Sequence, residues 1–223
     1  MNKSIVLQSL NKIGIALTAL TAIGFATTNS AIAASVTTLL QDSFDQENNS
    51  VPTLDYNPFS NWNVINGSVD LIGNGFCDFL PGNGLYLDLD GSTSQAGTLQ
   101  SQKTFNFQAG DTVNLSFELA GNRRYDMSDS VTVSLGNLFS ETFSLPGDQT
   151  FTNFTRSFTV ANATNATLDF KGIGTDNVGL LLDNVTLTKS VPEPASIMGL
   201  LAFGAFGATS LRKRKQQQSA INA

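Results

Sequence analysis

The chain has 223 residues, with 12 Lys or Arg, 18 Asp or Glu and no His, for a formal net charge of −6. The absence of histidine excludes Ser-His-Asp and Cys-His hydrolases and any His-ligated zinc site. The single cysteine, Cys77, has no partner in the chain, so it is either a small buried residue or an intermolecular bridge.

The first segment reads as a secretory signal peptide over residues 1–33. Lys3 and Lys12 supply a sparse positive region, Ile13 to Phe25 is apolar apart from Gly and Thr, and Ala31-Ile32-Ala33 presents the small-x-small pattern of a signal peptidase site. Cleavage is expected after Ala33, with the preceding segment forming a signal helix.

Residues 34–190 are long enough for one domain with a real core. They hold six of the basic residues and seventeen of the acids, a net of −11. Such a surface repels nucleic acid and offers oxygen ligands to hard cations. Period two runs through this region. Leu85, Leu87 and Leu89 alternate with Tyr86, Asp88 and Asp90, and Val113, Leu115, Phe117 and Leu119 alternate with Asn114, Ser116 and Glu118. The pattern continues at Val131, Val133 and Leu135, at Phe139, Phe143 and Leu145, and at Phe154, Phe158 and Val160. It ends with Leu168 and Phe170, then Leu181, Val185 and Leu187. Turn signals such as Pro81-Gly82-Asn83-Gly84 and Pro146-Gly147-Asp148 separate these runs. The expected fold is all-β, a two-sheet β-sandwich with a core filled by many of the sixteen phenylalanines.

The C-terminus carries a second signal over residues 191–215. Val191-Pro192-Glu193-Pro194 is a non-helical breaker, because each proline fixes φ and removes a donor. An uncharged stretch from Ala195 to Leu211 follows, at the short end of the spanning range, and Arg212-Lys213-Arg214-Lys215 forms a basic stop that the positive-inside rule keeps cytoplasmic. Residues 216–223 are then a polar cytoplasmic tail. Breaker, hydrophobic helix and basic stop in this order resemble the PEP-CTERM sorting signal. That resemblance implies cutting near the Pro-Glu-Pro by an exosortase and delivery to the cell surface or an extracellular polysaccharide matrix, after transient anchoring in the inner membrane. A permanent single-pass anchor has the same topology.

A second set of motifs lies in the middle: Trp62-Asn63-Val64, Gly67 to Gly73, Gly84 to Ser92, Ala109-Gly110-Asp111, Leu115 to Asn122 and Leu182-Asp183-Asn184-Val185. Together they resemble the choice-of-anchor C family of exported bacterial domains, which implies a galactose-binding-like jelly roll related to carbohydrate-binding modules.

The candidate sites follow from side-chain chemistry. Strand parity puts Asp183 on the face of Leu181, Val185 and Leu187, toward the core, where a carboxylate needs a cation or several donors. Sandwich modules of that kind hold a structural calcium between acids on the first and last strands, so Asp45 and Asp183 are the expected metal ligands. The alternative is that Asp183 caps backbone amides. Trp62, Arg123, Arg124 and Tyr125 are the candidate glycan-binding residues, by aromatic stacking and bidentate hydrogen bonding, against core packing for Trp62 and a solvated loop for the arginines. Asp88 and Asp90 are outward-facing acids, expected to be solvated rather than catalytic. The reading is a non-enzymatic surface module that binds glycan or contributes to the matrix. A purely structural matrix protein is the second reading, and a polysaccharide hydrolase or lyase is the third.

Overall fold

The alternating runs become strands because each offers one apolar face to a partner sheet. The computed structural model describes residues 35–125 and 127–191. The signal segment with Ala31 and Ala33, the Pro192-Glu193-Pro194 breaker, the hydrophobic stretch and Arg212 to Lys215 lie outside the described residues, as does Asp126. Among the described residues no helix is long and apolar enough to cross a membrane.

The strands, in chain order, are β1 Ser35–Asp42, β2 Trp62–Val64, β3 Asp70–Gly73, β4 Leu85–Asp88, β5 Thr98–Ser101, β6 Phe105–Phe107 and β7 Thr112–Ala120. They continue with β8 Asp129–Leu135, β9 Phe139–Leu145, β10 Thr152–Thr159, β11 Thr164–Ala166, β12 Leu168–Ile173 and β13 Leu181–Val191. One sheet runs β10-β7-β13-β4-β3, with β1 also paired to β13. The other runs β2-β5-β12-β8-β9, and β6 and β11 form a separate ribbon. The pairings within the two large sheets are antiparallel. The expected all-β sandwich is what the chain forms.

Its core is built by the anticipated residues. Leu85, Leu87, Val113, Leu115, Phe117 and Leu119 face Val131, Val133, Leu135, Leu168 and Phe170, all fully buried. Phe117 sits at the centre, edge-on to Phe143 and Phe170 with ring centroids 5.3 Å from each. A smaller apolar cluster of Ile72, Tyr86, Ala120 and Leu181 lies apart from this core and is covered by Phe79, Leu80 and Phe151. These residues alternate with core residues along β3, β4, β7 and β13, so the six-stranded sheet is apolar on part of its outer face as well.

Candidate functional site

Trp62 is a correction. It is wholly buried, its ring centroid lies 5.8 Å from that of Phe170, and its Nε1 donates to Asp42 Oδ2 at 2.9 Å. The indole therefore packs between the sheets with its one polar atom satisfied, and it offers no platform to a sugar.

The Arg123-Arg124-Tyr125 loop divides by residue. Asn122 is buried and its Oδ1 accepts the amides of Arg124 and Tyr125 at 2.6 and 2.8 Å, which fixes the turn. Arg124 reaches back 36 positions to pair with Asp88 and lies over the Phe79 ring, 4.9 Å from its centroid. Its charge is thereby committed inside the protein. Arg123, with a φ of 58°, donates to the Asp148 carbonyl, and Tyr125 is 58% exposed. Together with Gly147 and Asp148 they line a shallow hollow of about 170 Å³.

Asp88 and Asp90 are also corrected. They face away from the main core as their parity requires, but they are not solvated: both are buried. Asp88 accepts the amides of Asp90 and Gly179 at 3.1 and 3.0 Å besides the Arg124 pair. Burial pushes its carboxyl up to about 7, and the Arg124 charge only partly opposes this. Neither carboxyl is open to a substrate.

Asp183 is also corrected, because it does not face the core. Leu182 opposes Leu119 and Leu187 opposes Leu115, both in the core, but the register between β13 and β7 shifts between Asp183 and Thr186. Asn184 takes a φ of 49° at this bulge, which resets the alternation. Asp183 therefore lies opposite Glu118 and shares the face of Leu181, away from the core, whereas Val185 and Leu187 point inward. It is buried all the same. Burial pushes its carboxyl up to about 8; the charges of Asp45, Glu118 and Asp42 add to that, and the Asn184 amide, donating at 2.7 Å, opposes it.

Asp45 belongs to the same neighbourhood. Its Oδ1 accepts the Leu85 amide at 2.9 Å and its Oδ2 the Ser43 hydroxyl at 3.0 Å, while Asn184 Nδ2 bridges Glu118 and Asp183. An adjoining hollow of about 320 Å³ is lined by Asp42, Ser43, Glu47, Asn61 and Asn184 among others. The donor set is all oxygen and suits a hard cation. Among the described residues no three acidic side chains already form a ready-made cage, so backbone oxygens or water would have to complete any coordination there.

A further surface went unmarked in the sequence. The solvent face of the five-stranded sheet carries Asn63, Gln100, Asp169, Ser134 and Ser140 in one cross-strand row. Lys171, Thr132 and Thr142 make the next, beside a buried Thr98. These residues were legible only as the polar half of each alternation, since their alignment depends on which strands pair.

Residues 190–215 match the PEP-CTERM protein-sorting motif, which indicates an exported protein sorted to the cell surface. No curated protein matches the chain. Among solved structures, the chain is similar to the K3 adhesin domain of Lys-gingipain from Porphyromonas gingivalis, at 15% identity and a TM-score of 0.46, covering 69% of this chain and 99% of that one. It is also similar to the CBM22-1 xylan-binding domain of a Paenibacillus barcinonensis protein, at 14% identity and a TM-score of 0.39, covering 72% and 99%. A third is the CBM22-1–GH10 part of a Clostridium thermocellum endo-1,4-β-D-xylanase, at 16% identity and a TM-score of 0.43, covering 68% of this chain and only 28% of that one.

The two raised carboxyls set a pH dependence. Each holds a proton in the folded state above the pH at which the unfolded chain releases it, so their contribution to stability is full below about pH 4 and is lost as pH rises through about 7 and 8. With divalent cations removed by chelator, the melting temperature is expected to drop by several degrees between about pH 5 and pH 8.5. Asp183→Asn, which cannot ionise, should flatten the upper part of that slope. Melting curves across this range check both, and a flat wild-type profile contradicts the assignment.

Proposed function

We propose that the domain is a non-catalytic surface module that binds a neutral, hydroxyl-rich glycan across the polar face of the five-stranded sheet. The observation that carries this reading is the cross-strand alignment of Gln100, Asp169, Ser134, Lys171, Thr132 and Thr142. Neighbouring strands put such side chains about 4.5–5.5 Å apart, so they offer a two-dimensional grid of donors and acceptors to hydroxyls. The sorting motif supports it, because a protein sorted to the cell surface is exposed to extracellular polysaccharide. The burial of Asp88 and Asp90 argues against their use as paired catalytic carboxylates. The Arg123 and Tyr125 loop is a second binding surface, favoured by the exposure of the Tyr125 ring. A calcium ion at Asp45 and Asp183 is proposed as structural support, because it would neutralise a buried carboxyl surrounded by like charges.

Three measurements test this. On a glycan array, Gln100→Ala with Lys171→Ala should abolish binding while shifting the melting temperature by no more than a few degrees, since substitutions outside the core typically change stability by about 0.5 kcal/mol. Loss only in Arg123→Ala with Tyr125→Ala moves the site to the loop, and no binding by wild type leaves a structural matrix role. Calcium at a hundredfold excess over its dissociation constant should stabilise wild type by about 2.7 kcal/mol, and Asp183→Asn should reduce the response. A melting temperature indifferent to calcium and chelator ends the metal reading. For processing, intact mass of surface-extracted protein should show loss of Arg212 to Lys215, and a species retaining them supports the permanent anchor.

A further inference from the structure

One side of the sandwich is grooved. Among the described strands β1 pairs with β13 alone, and its register slips between Thr38 and Leu40, so its outer edge offers an interrupted row of backbone donors and acceptors. Two hollows of about 320 and 410 Å³ lie along this strand. Gln41, Ser60 and Asn61 line both, so the two are stretches of one groove. Its far wall is the segment entering β2 and the segment leaving β5, joined by the Gln102 amide donating to the Asn61 carbonyl at 2.9 Å. Each hollow falls in the range of about 300–1,000 Å³ typical of small-molecule sites.

The groove is held from within. Asp42 Oδ2 accepts Asn61 Nδ2 at 3.0 Å and the Trp62 indole at 2.9 Å, and Gln102 Nε2 donates to the Phe59 and Trp62 carbonyls at 2.9 and 3.0 Å. These bonds fix both carboxamides through their nitrogens, and among the described residues nothing donates to their oxygens. At the end away from Lys103, the buried Glu47 accepts the amide and hydroxyl of Ser60. Gln41 and Lys103 are exposed, and among the described residues their side chains make no hydrogen bond or ion pair.

We propose that this groove binds a neutral, hydroxyl-rich sugar chain, at a site separate from the face of the five-stranded sheet. A carboxamide offers an acceptor and donors in one plane, and a hydroxyl can answer either, so Gln41, Asn61 and Gln102 suit a polyol. Asn61 and Gln102 are already fixed, so little of their freedom is lost when a sugar binds. The Lys103 ammonium adds donors at one end, while Asp42 and Glu47 at the other repel a chain of uronates. An extended peptide added to β1 is the rival occupant. The register slip breaks the ladder such a peptide needs, and the wall of Ser60, Asn61, Gln102 and Lys103 is polar where strand addition uses apolar pockets for alternate side chains.

The test uses the full chain and a panel of neutral glucan, galactan, mannan and xylan oligosaccharides, read by calorimetry and by the NMR signals of side-chain amides. Gln100→Ala with Lys171→Ala disables the sheet face, and Gln41→Ala with Lys103→Ala is added to disable the groove. Both groove residues are exposed, so their loss leaves the fold intact, which the melting temperature checks. We expect a sugar of the panel to bind the face variant and to move the Asn61 and Gln102 signals. Adding the groove substitutions should weaken that binding about tenfold, the loss of two ordinary hydrogen bonds. Equal binding with and without them overturns the proposal. Binding by wild type that vanishes in the face variant also overturns it, while leaving the sheet-face reading in place. Failure of wild type to bind any sugar of the panel overturns both. Movement of the groove signals by an extended Val-Thr peptide, and by none of the sugars, overturns it in favour of strand addition.

Discussion

The structure turns on how a strongly acidic domain tolerates carboxylates in its interior. Glu47, Asp70, Asp88, Asp90, Asp111 and Asp183 are all buried, and the domain has few cations to pair with them. Most are held by backbone amides. Glu47 accepts the Ser60 amide, Asp70 those of Asp55 and Ser92, and Asp111 that of Gln108 with Lys189 behind it. These bonds span 3 to 22 positions of sequence: Asp111 closes the β6–β7 turn, whereas Glu47 and Asp70 tie separate segments together. Charge-assisted hydrogen bonds to backbone N–H are among the stronger ones, so these acids act as staples for the connections of a fold whose sheets alone would leave them loose. The geometry of the loop ends follows from where the staples fall.

That mode of satisfaction has a boundary, and the boundary marks the chemically interesting places. Asp70 and Glu47 each accept two or more hydrogen bonds. Asp183 has only its neighbour Asn184 for a partner while three other acids face it, and Asp90 has a bare oxygen. Burial of polar groups without full compensation is rare in folded proteins and needs a reason. Here both deficits are of negative charge. The pairing of Arg124 with Asp88 shows the other solution, in which one of the few arginines of the domain turns its guanidinium to a buried carboxylate.

Much of this architecture was legible in the sequence. The alternation of Val113 to Leu119 and of Val131 to Leu135 is reproduced residue for residue in the burial of β7 and β8, because a strand in a two-sheet sandwich has only two faces to choose between. What was not legible depends on pairing or on single irregular residues. One bulge at Asn184 moved Asp183 from the core face to the outer one, since any residue inserted into a period-two pattern inverts everything beyond it. Asp88 and Asp90 were rightly placed away from the core, yet Phe79, Leu80 and the 174–179 segment cover that face. Trp62 follows the same logic: its burial depends on Asp42, twenty positions earlier, presenting an acceptor to the indole nitrogen.

The relation between the domain and its sorting motif is also one of register. β13 is flanked by β7, β4 and β1, so the last strand of the domain is interior to its sheet and the sandwich is incomplete without it. Its final residue, Val191, pairs with Ser35 at the start of β1, which brings the points where the chain enters and leaves the domain side by side. The motif match begins at residue 190, overlapping the end of that strand. A cut on the C-terminal side of Val191 would remove the hydrophobic and basic segments without taking a residue from the sheet. A cut a few residues earlier would strip the ladder that joins β13 to β1 and β7, so the strand end itself limits where processing can fall without loss of the fold.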